Sequence, residues 1–291
     1  MFIQTLLNSI IAGSTFALVA LSFAIIYMVC RFFHFAHGAV FAWGGYLAYT
    51  AHVHLHTPLL LSAAFGIAMA GVLGVGLDIG VYRVLRRRGA TGVVLLLASL
   101  GLYVVLQNII SMTFGADTKS LRVSLNQTVD FFGGRITIVQ GWIILLSASF
   151  FLLAWAMLRF TKLGKVLRAV SSDPDLAVVI GIDSNKVIPI AFMLGSALAG
   201  LAAILISFDT DLTPTMGMNA LMIGVVVVVI GGVKSIPGIA LAAILLGIAQ
   251  HFGVWWIGTQ WQDTIAFLVL IIFLVFRPQG FFGYSLRRAT V

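Results

Sequence analysis

Residues 2–29 read FIQTLLNSIIAGSTFALVALSFAIIYMV, 28 positions without one charged side chain. As an α-helix rising about 1.5 Å per residue, this run is about 42 Å long, more than the roughly 30 Å of a bilayer's hydrocarbon core. A helix on a soluble domain carries a polar face, and here apolar residues occupy every face. The run is a membrane span. Outward from it the pattern repeats in Gly38–Ala51, Leu59–Tyr82, Thr91–Phe114, Ile136–Leu158, Val187–Phe208, Ala220–Gly232, Ile239–Ile257 and Trp261–Phe276.

Nine spans of about twenty residues use about 180 positions. The chain has 291 residues, of which 61% are hydrophobic and 9% charged. The expected fold is all-α, a polytopic integral membrane bundle of about 8–9 transmembrane segments, forming one domain over 1–291. Soluble enzymes and disordered chains are excluded by this composition, and a β-barrel by apolar runs that do not alternate. Gly38–Ala51 and Ala220–Gly232 are short for spans, so each reads as a tilted or a re-entrant helix. Asn8–Ala20 and Gly195–Ala203 are both rich in small residues and run in opposite directions by parity. That pattern fits inverted repeats, and it equally fits ordinary close packing in a membrane bundle.

Charge gives the sides. Seventeen Lys and Arg face nine acids, all Asp, for a net charge of +8. With nine crossings, 14 of the basic residues fall on one side and only Lys119, Arg122 and Arg135 on the other. The first side is the cytoplasm by the positive-inside rule. Basic residues clustered between spans, with no basic groove interleaved with aromatics, exclude nucleic acid as a partner.

Few residues suggest chemistry. His52, His54 and His56 alternate, but no Cys or Glu supports them as a metal site, and a wet external loop explains them equally well. His34 and His37 are one turn apart near the inner face. They read first as packing or capping groups and second as a protonation gate. Asp78, the only acid inside a long apolar run, is expected to pair with Arg83 or Tyr82 at the interface. Ser14 and Thr15 in the first span, and Gln107 and Asn108 in the fourth, are polar groups at depth. They serve either interhelical hydrogen bonds or a solute path.

The largest cytoplasmic loop, 159–186, is the most informative. Asp173 suits a helix N-cap and Pro174 the first helical position. Asp175 to Ile180 then make a short helix, which Gly181 stops in a left-handed conformation. A helix of under about two turns does not stand alone in water, so it packs on its own membrane domain or on a soluble partner. Lys162, Lys165 and Arg168 precede it on one helical face.

Three stretches in order resemble the inner-membrane permeases of branched-chain amino-acid ABC importers, of the LivH type. They are Phe35-Ala36-His37-Gly38; Arg168-Ala169-Val170 with Asp173, Ala177 and Gly181-Ile182; and Arg277-Pro278-Gln279-Gly280 with Phe282-Gly283. Two positions depart from the family pattern: His34 stands where Asn is usual, and Lys234 in Gly231–Gly238 where a small residue is usual.

The resemblance implies a permease subunit in the bacterial inner membrane that forms half of a translocation pore with a second permease subunit. Two cytoplasmic ATPases would hold the ATP and Mg, since this chain carries no cofactor of its own, and an extracytoplasmic binding protein would deliver the solute. The resemblance also makes Arg168, Asp173, Pro174, Asp175, Ala177 and Gly181 the ATPase-coupling residues. His37, Gly38, Gly231 and Gly232 become candidate gate or turn residues near the inner face.

The chain contains no G-x-x-x-x-G-K-[ST] phosphate loop. It also lacks the deep acids that ion-coupled carriers use. An engine outside the chain accounts for both; the rival reading is a self-sufficient channel or secondary carrier. The implied solute is a branched-chain amino acid or a related small polar molecule.

Overall fold

The structure, a computed structural model, describes residues 1–121, 127–131, 133–277 and 280–282. Helix α1 (Phe2–Cys30) is followed by α2 (Ala36–Tyr49), which runs on as a π-helical turn, Thr50–His54. Helix α3 (Leu59–Leu77) continues through a second π-helical turn, Asp78–Tyr82, into α4 (Arg83–Arg87). Then come α5 (Gly92–Phe114), a hairpin of β1 (Thr128–Phe131) and β2 (Gly134–Thr137), and α6 (Ile138–Phe160). Short helices α7 (Lys162–Ser172) and α8 (Pro174–Val179) lead to α9 (Ser184–Asp209), α10 (Met216–Gly231), α11 (Ile236–Ile257) and α12 (Gln262–Phe276).

Seven helical stretches among the described residues are long and apolar enough to cross a membrane, and α10 is a shorter apolar one. Helix α2 adds 14 α-helical and five π-helical residues in unbroken succession. The chain is a polytopic helical membrane protein. Local signals set many helix starts. Thr137 and Gln140 close a capping box on α6, and Ser235 caps α11 with Pro237 in its first turn. The hairpin turns at Gly133 and pairs Thr128 with Thr137 and Phe131 with Gly134.

Two helices form the axis. The apolar window of α1 is 78% buried and that of α9 67%, against 22% for α5 and α6 and 6% for α12. The packing around this axis is inverted and twofold. Helix α3 packs on α9 as α11 packs on α1, and α2 packs on α9 as α10 packs on α1. The pairs α1–α9 and α2–α10 close the relation. The quartets α1–α2–α3–α5 and α9–α10–α11–α12 are therefore inverted repeats, joined by α6 to α8.

The short helices begin inside the bundle rather than at its surface. The His37 Nε2 lies 2.9 Å from the Ser22 hydroxyl. Ser22 is eight residues before the end of α1, or about 12 Å along the axis. The chain thus turns back into the bundle over residues 31–35 before α2 starts. In the other repeat, Leu212 lies against Gly45 and Gly217 against Gly38. Residues 210–215 therefore descend beside α2, and α10 also starts at depth.

Asp78 differs from expectation. It pairs with Arg86, not Arg83 or Tyr82, at 2.5 Å, and its side chain is fully buried. The reason is competition. Tyr82 donates or accepts at His34 Nδ1, 3.0 Å away, and Arg83 donates to the Asn185 carbonyl. That leaves Arg86, two turns on along the same helix face.

Candidate functional site

The loop 159–186 folds as two helices tied to the bundle. Thr161 accepts from the Gly164 amide at 3.1 Å and starts α7. Lys162, Lys165 and Arg168 are exposed on one face, while Gly164, Leu167 and Val170 are buried on the other. The Arg168 guanidinium donates to the Leu158 and Arg159 carbonyls and so closes the C-terminus of α6. Arg31, in a left-handed conformation at the end of α1, donates to the Ser171 and Ser172 carbonyls at 2.9 Å each. The end of α1 and the end of α7 are one unit.

Asp173 caps α8 by accepting from the Asp175 and Leu176 amides at 2.9 and 3.1 Å, with Pro174 in the first turn. At the other end Gly181 has φ 85°. Its amide donates to Val178, and the Ile182 amide donates to Ala177 at 2.9 Å. That pair of bonds is a Schellman stop. Ala177 is 2% exposed and packs with Leu167, Val170 and Val187. Its neighbours face away. Leu176, Val178, Val179 and Ile180 are 63%, 59%, 80% and 70% exposed. Four apolar side chains thus stand free at the basic, aqueous end of the molecule, a feature that marks an interaction surface.

The match to known proteins follows this geometry. Residues 5–274 fit the family model described as the permease component of the branched-chain amino acid transport system. The chain belongs to this permease family. The permease is 31% identical over 97% of its length to BraD of Pseudomonas aeruginosa, a high-affinity branched-chain amino acid transport permease, and covers 96% of that protein. It is 29% identical to LivH of Escherichia coli K12 over the same shares. A looser likeness is to PsaBC from Streptococcus pneumoniae in complex with Fab, at 13% identity, 92% and 90% coverage and a TM-score of 0.49.

The motif Phe35-Ala36-His37-Gly38 occupies the start of α2, at the centre of the permease. A Cβ on Gly38 would stand 2.6 Å from the Gly217 carbonyl oxygen, and a Cβ on Gly217 would overlap Gly38 in turn. The two repeats cross here backbone to backbone. Beside the crossing, His37 bonds Ser22 and His34 bonds Tyr82, with the two imidazole rings 5.9 Å apart. All four side chains are buried. Gly231 and Gly232 lie at the end of α10, where Gly231 abuts Gly238 and Gly232, at φ 89°, abuts Gly280. The Phe281 amide donates to the Ile230 carbonyl at 2.9 Å, so the described part of the C-terminal motif folds back on that turn. Pro278, Gln279 and Gly283 lie outside the described residues.

The polar residues at depth do not converge. Ser14 and Thr15 spend their hydroxyls on the Ile11 and Ala12 carbonyls of their own helix. On α5, Gln107 is half-buried, while Asn108 is exposed and returns its amide to the Val104 carbonyl. Three participants escape a reading of the sequence: Gly217, Tyr82 and Arg31. Only Gly217 had a usable signal, as a glycine just after Pro214 at the head of a short apolar helix, the place Gly38 holds in the other repeat.

Proposed function

We propose that the permease imports a branched-chain amino acid or a related small polar solute as half of an ATP-driven translocation pore. Its engine is a pair of cytoplasmic ATPases that carry ATP and Mg, and a binding protein delivers the solute from outside. The observation that carries this reading is the exposed apolar face of α8. Leu176, Val178, Val179 and Ile180 gain nothing by facing water, and burying each one's apolar surface is worth about 1.5–3 kcal/mol. A soluble subunit seated there would bury them. Gly181 and Asp173 fix the helix ends, so force applied to α8 passes through α7 and Arg31 to the end of α1. ATP binding then biases two states of the bundle by its differential affinity for them.

The path itself follows from α5. Asn108 is exposed and Gln107 half-buried on a membrane-spanning helix, where facing lipid is costly for amides. A second permease subunit against α5 would shield both and place them along a shared path. The zwitterion would exchange water for these neutral donors and acceptors, with no fixed charge to trap it.

Replacing Val179 and Ile180 together by Asp tests the reading. Membrane insertion should be unchanged, while ATPase co-purification and uptake are lost. Uptake by the reconstituted permease alone, without any ATPase, would sustain a self-sufficient carrier instead.

A further inference from the structure

One cavity is lined by no residue of α8. It has a volume of about 870 Å³ and lies between the end of α1, the end of α6, α7 and the turn into α11. Its lining combines apolar side chains, among them Ile25, Met28 and Trp155, with the cations Arg159, Arg168 and Lys234. No Asp is among its described lining residues. Arg168 is engaged by the carbonyls that end α6. Arg159 lies 5.7 Å from the Trp155 ring and 5.8 Å from the Phe160 ring. Among the described residues neither Arg159 nor Lys234 has an acidic partner. Both are exposed.

The cavity sits where the helices meet the cytoplasmic boundary of the bilayer, because the basic residues of the loops define that boundary. A soluble anion would use the cations and waste the apolar lining. An apolar solute would do the reverse. A phospholipid of net negative charge uses both, and basic pockets between spans on this side suit its headgroup. We propose that this cavity binds an anionic phospholipid of the cytoplasmic leaflet, its phosphate at Arg159 and Lys234 and an acyl chain along Ile25, Met28 and Trp155. Ser171 and Ser172 of α7 also line it, so the bound lipid touches the segment that Arg31 ties to α1.

The test uses the full chain in detergent and native mass spectrometry with phosphatidylglycerol or phosphatidylcholine. The wild type should retain one phosphatidylglycerol in preference to phosphatidylcholine. The double variant Arg159→Gln, Lys234→Gln should lose that preference by about fivefold per cation removed, and Lys234→Arg should keep it. Lys162→Gln, a cation of the same loop outside the cavity, should keep it too. A reading independent of these variants uses phosphatidylglycerol with brominated acyl chains, which should quench wild-type tryptophan fluorescence more than that of Trp155→Phe. Equal retention of the two lipids overturns the site. So does full retention in the double variant, equal quenching without Trp155, or displacement by inorganic phosphate at matched concentration, which would mark a free-anion site.

Discussion

The crossing of α2 with α10 and the stop of α8 both depend on glycine, for opposite reasons. At Gly38 and Gly217 the backbone angles are ordinary and space is absent, because a Cβ would enter the other repeat's backbone. At Gly181 space is ample, with nothing within 4 Å of a Cβ, and the backbone angle of φ 85° makes the demand. The first glycine is held by packing between repeats and the second by the local hydrogen bonds of one short helix. Stability and coupling should therefore separate along this line. Changes at the crossing should cost folding and transport together, while changes in the loop should cost transport alone.

The largest expected effect is at the buried ion pair of the first repeat. Arg86→Gln leaves the fully buried Asp78 carboxyl without its partner, at a cost of about 3–5 kcal/mol. Thermal unfolding in detergent should show the steepest loss of any single change proposed. An unaltered melting curve would mean that this end of α3 opens to water. Next is Gly217→Val, which overpacks the crossing for about 3 kcal/mol and should lower yield and melting temperature together. The same substitution at Gly101, where no atom lies within 4 Å of a Cβ, should lower neither. If the two behave alike, the crossing is not close-packed in the membrane.

Smaller again is Tyr82→Phe, which strips His34 Nδ1 of its buried partner and should cost about 1–3 kcal/mol. Ser22→Ala should do the same to His37 on the neighbouring turn. Wild-type melting in both would show that water reaches these histidines. Gly181→Val sharpens the contrast from the other side. Its cost is the left-handed backbone alone, about 1–2 kcal/mol, so the protein should insert and melt almost as wild type while uptake fails. Retained uptake would detach the helix stop from coupling. The smallest stability effect belongs to Asn108→Leu, below about 1 kcal/mol, since its amide bonds only its own helix. Uptake should nevertheless fall if a second subunit makes α5 part of the path. Normal uptake in both Asn108→Leu and Gln107→Leu would move the path elsewhere.

The sequence by itself determined the features whose causes lie within a few residues. Charge-free runs longer than a bilayer is thick set the spans, and clustered Arg and Lys set their sides. Asp173, Pro174 and Gly181 wrote the two ends of α8, because a cap and a left-handed stop are satisfied by backbone groups at most five residues away. The two short helices were visible, but not that they begin inside the bundle. That is a matter of what residues 31–35 and 210–215 fold back against.

Likewise Asp78 showed itself as an interfacial acid, while its choice of Arg86 depended on His34 and Asn185 having already taken Tyr82 and Arg83. Gly217 against Gly38, Arg31 on the carbonyls of α7, and the cavity that gathers Arg159 with Lys234 join residues far apart in the chain. Hydropathy and capping carry no information at that range. Only the close packing of two inverted repeats, where a single Cβ is too large, decided which distant residues meet.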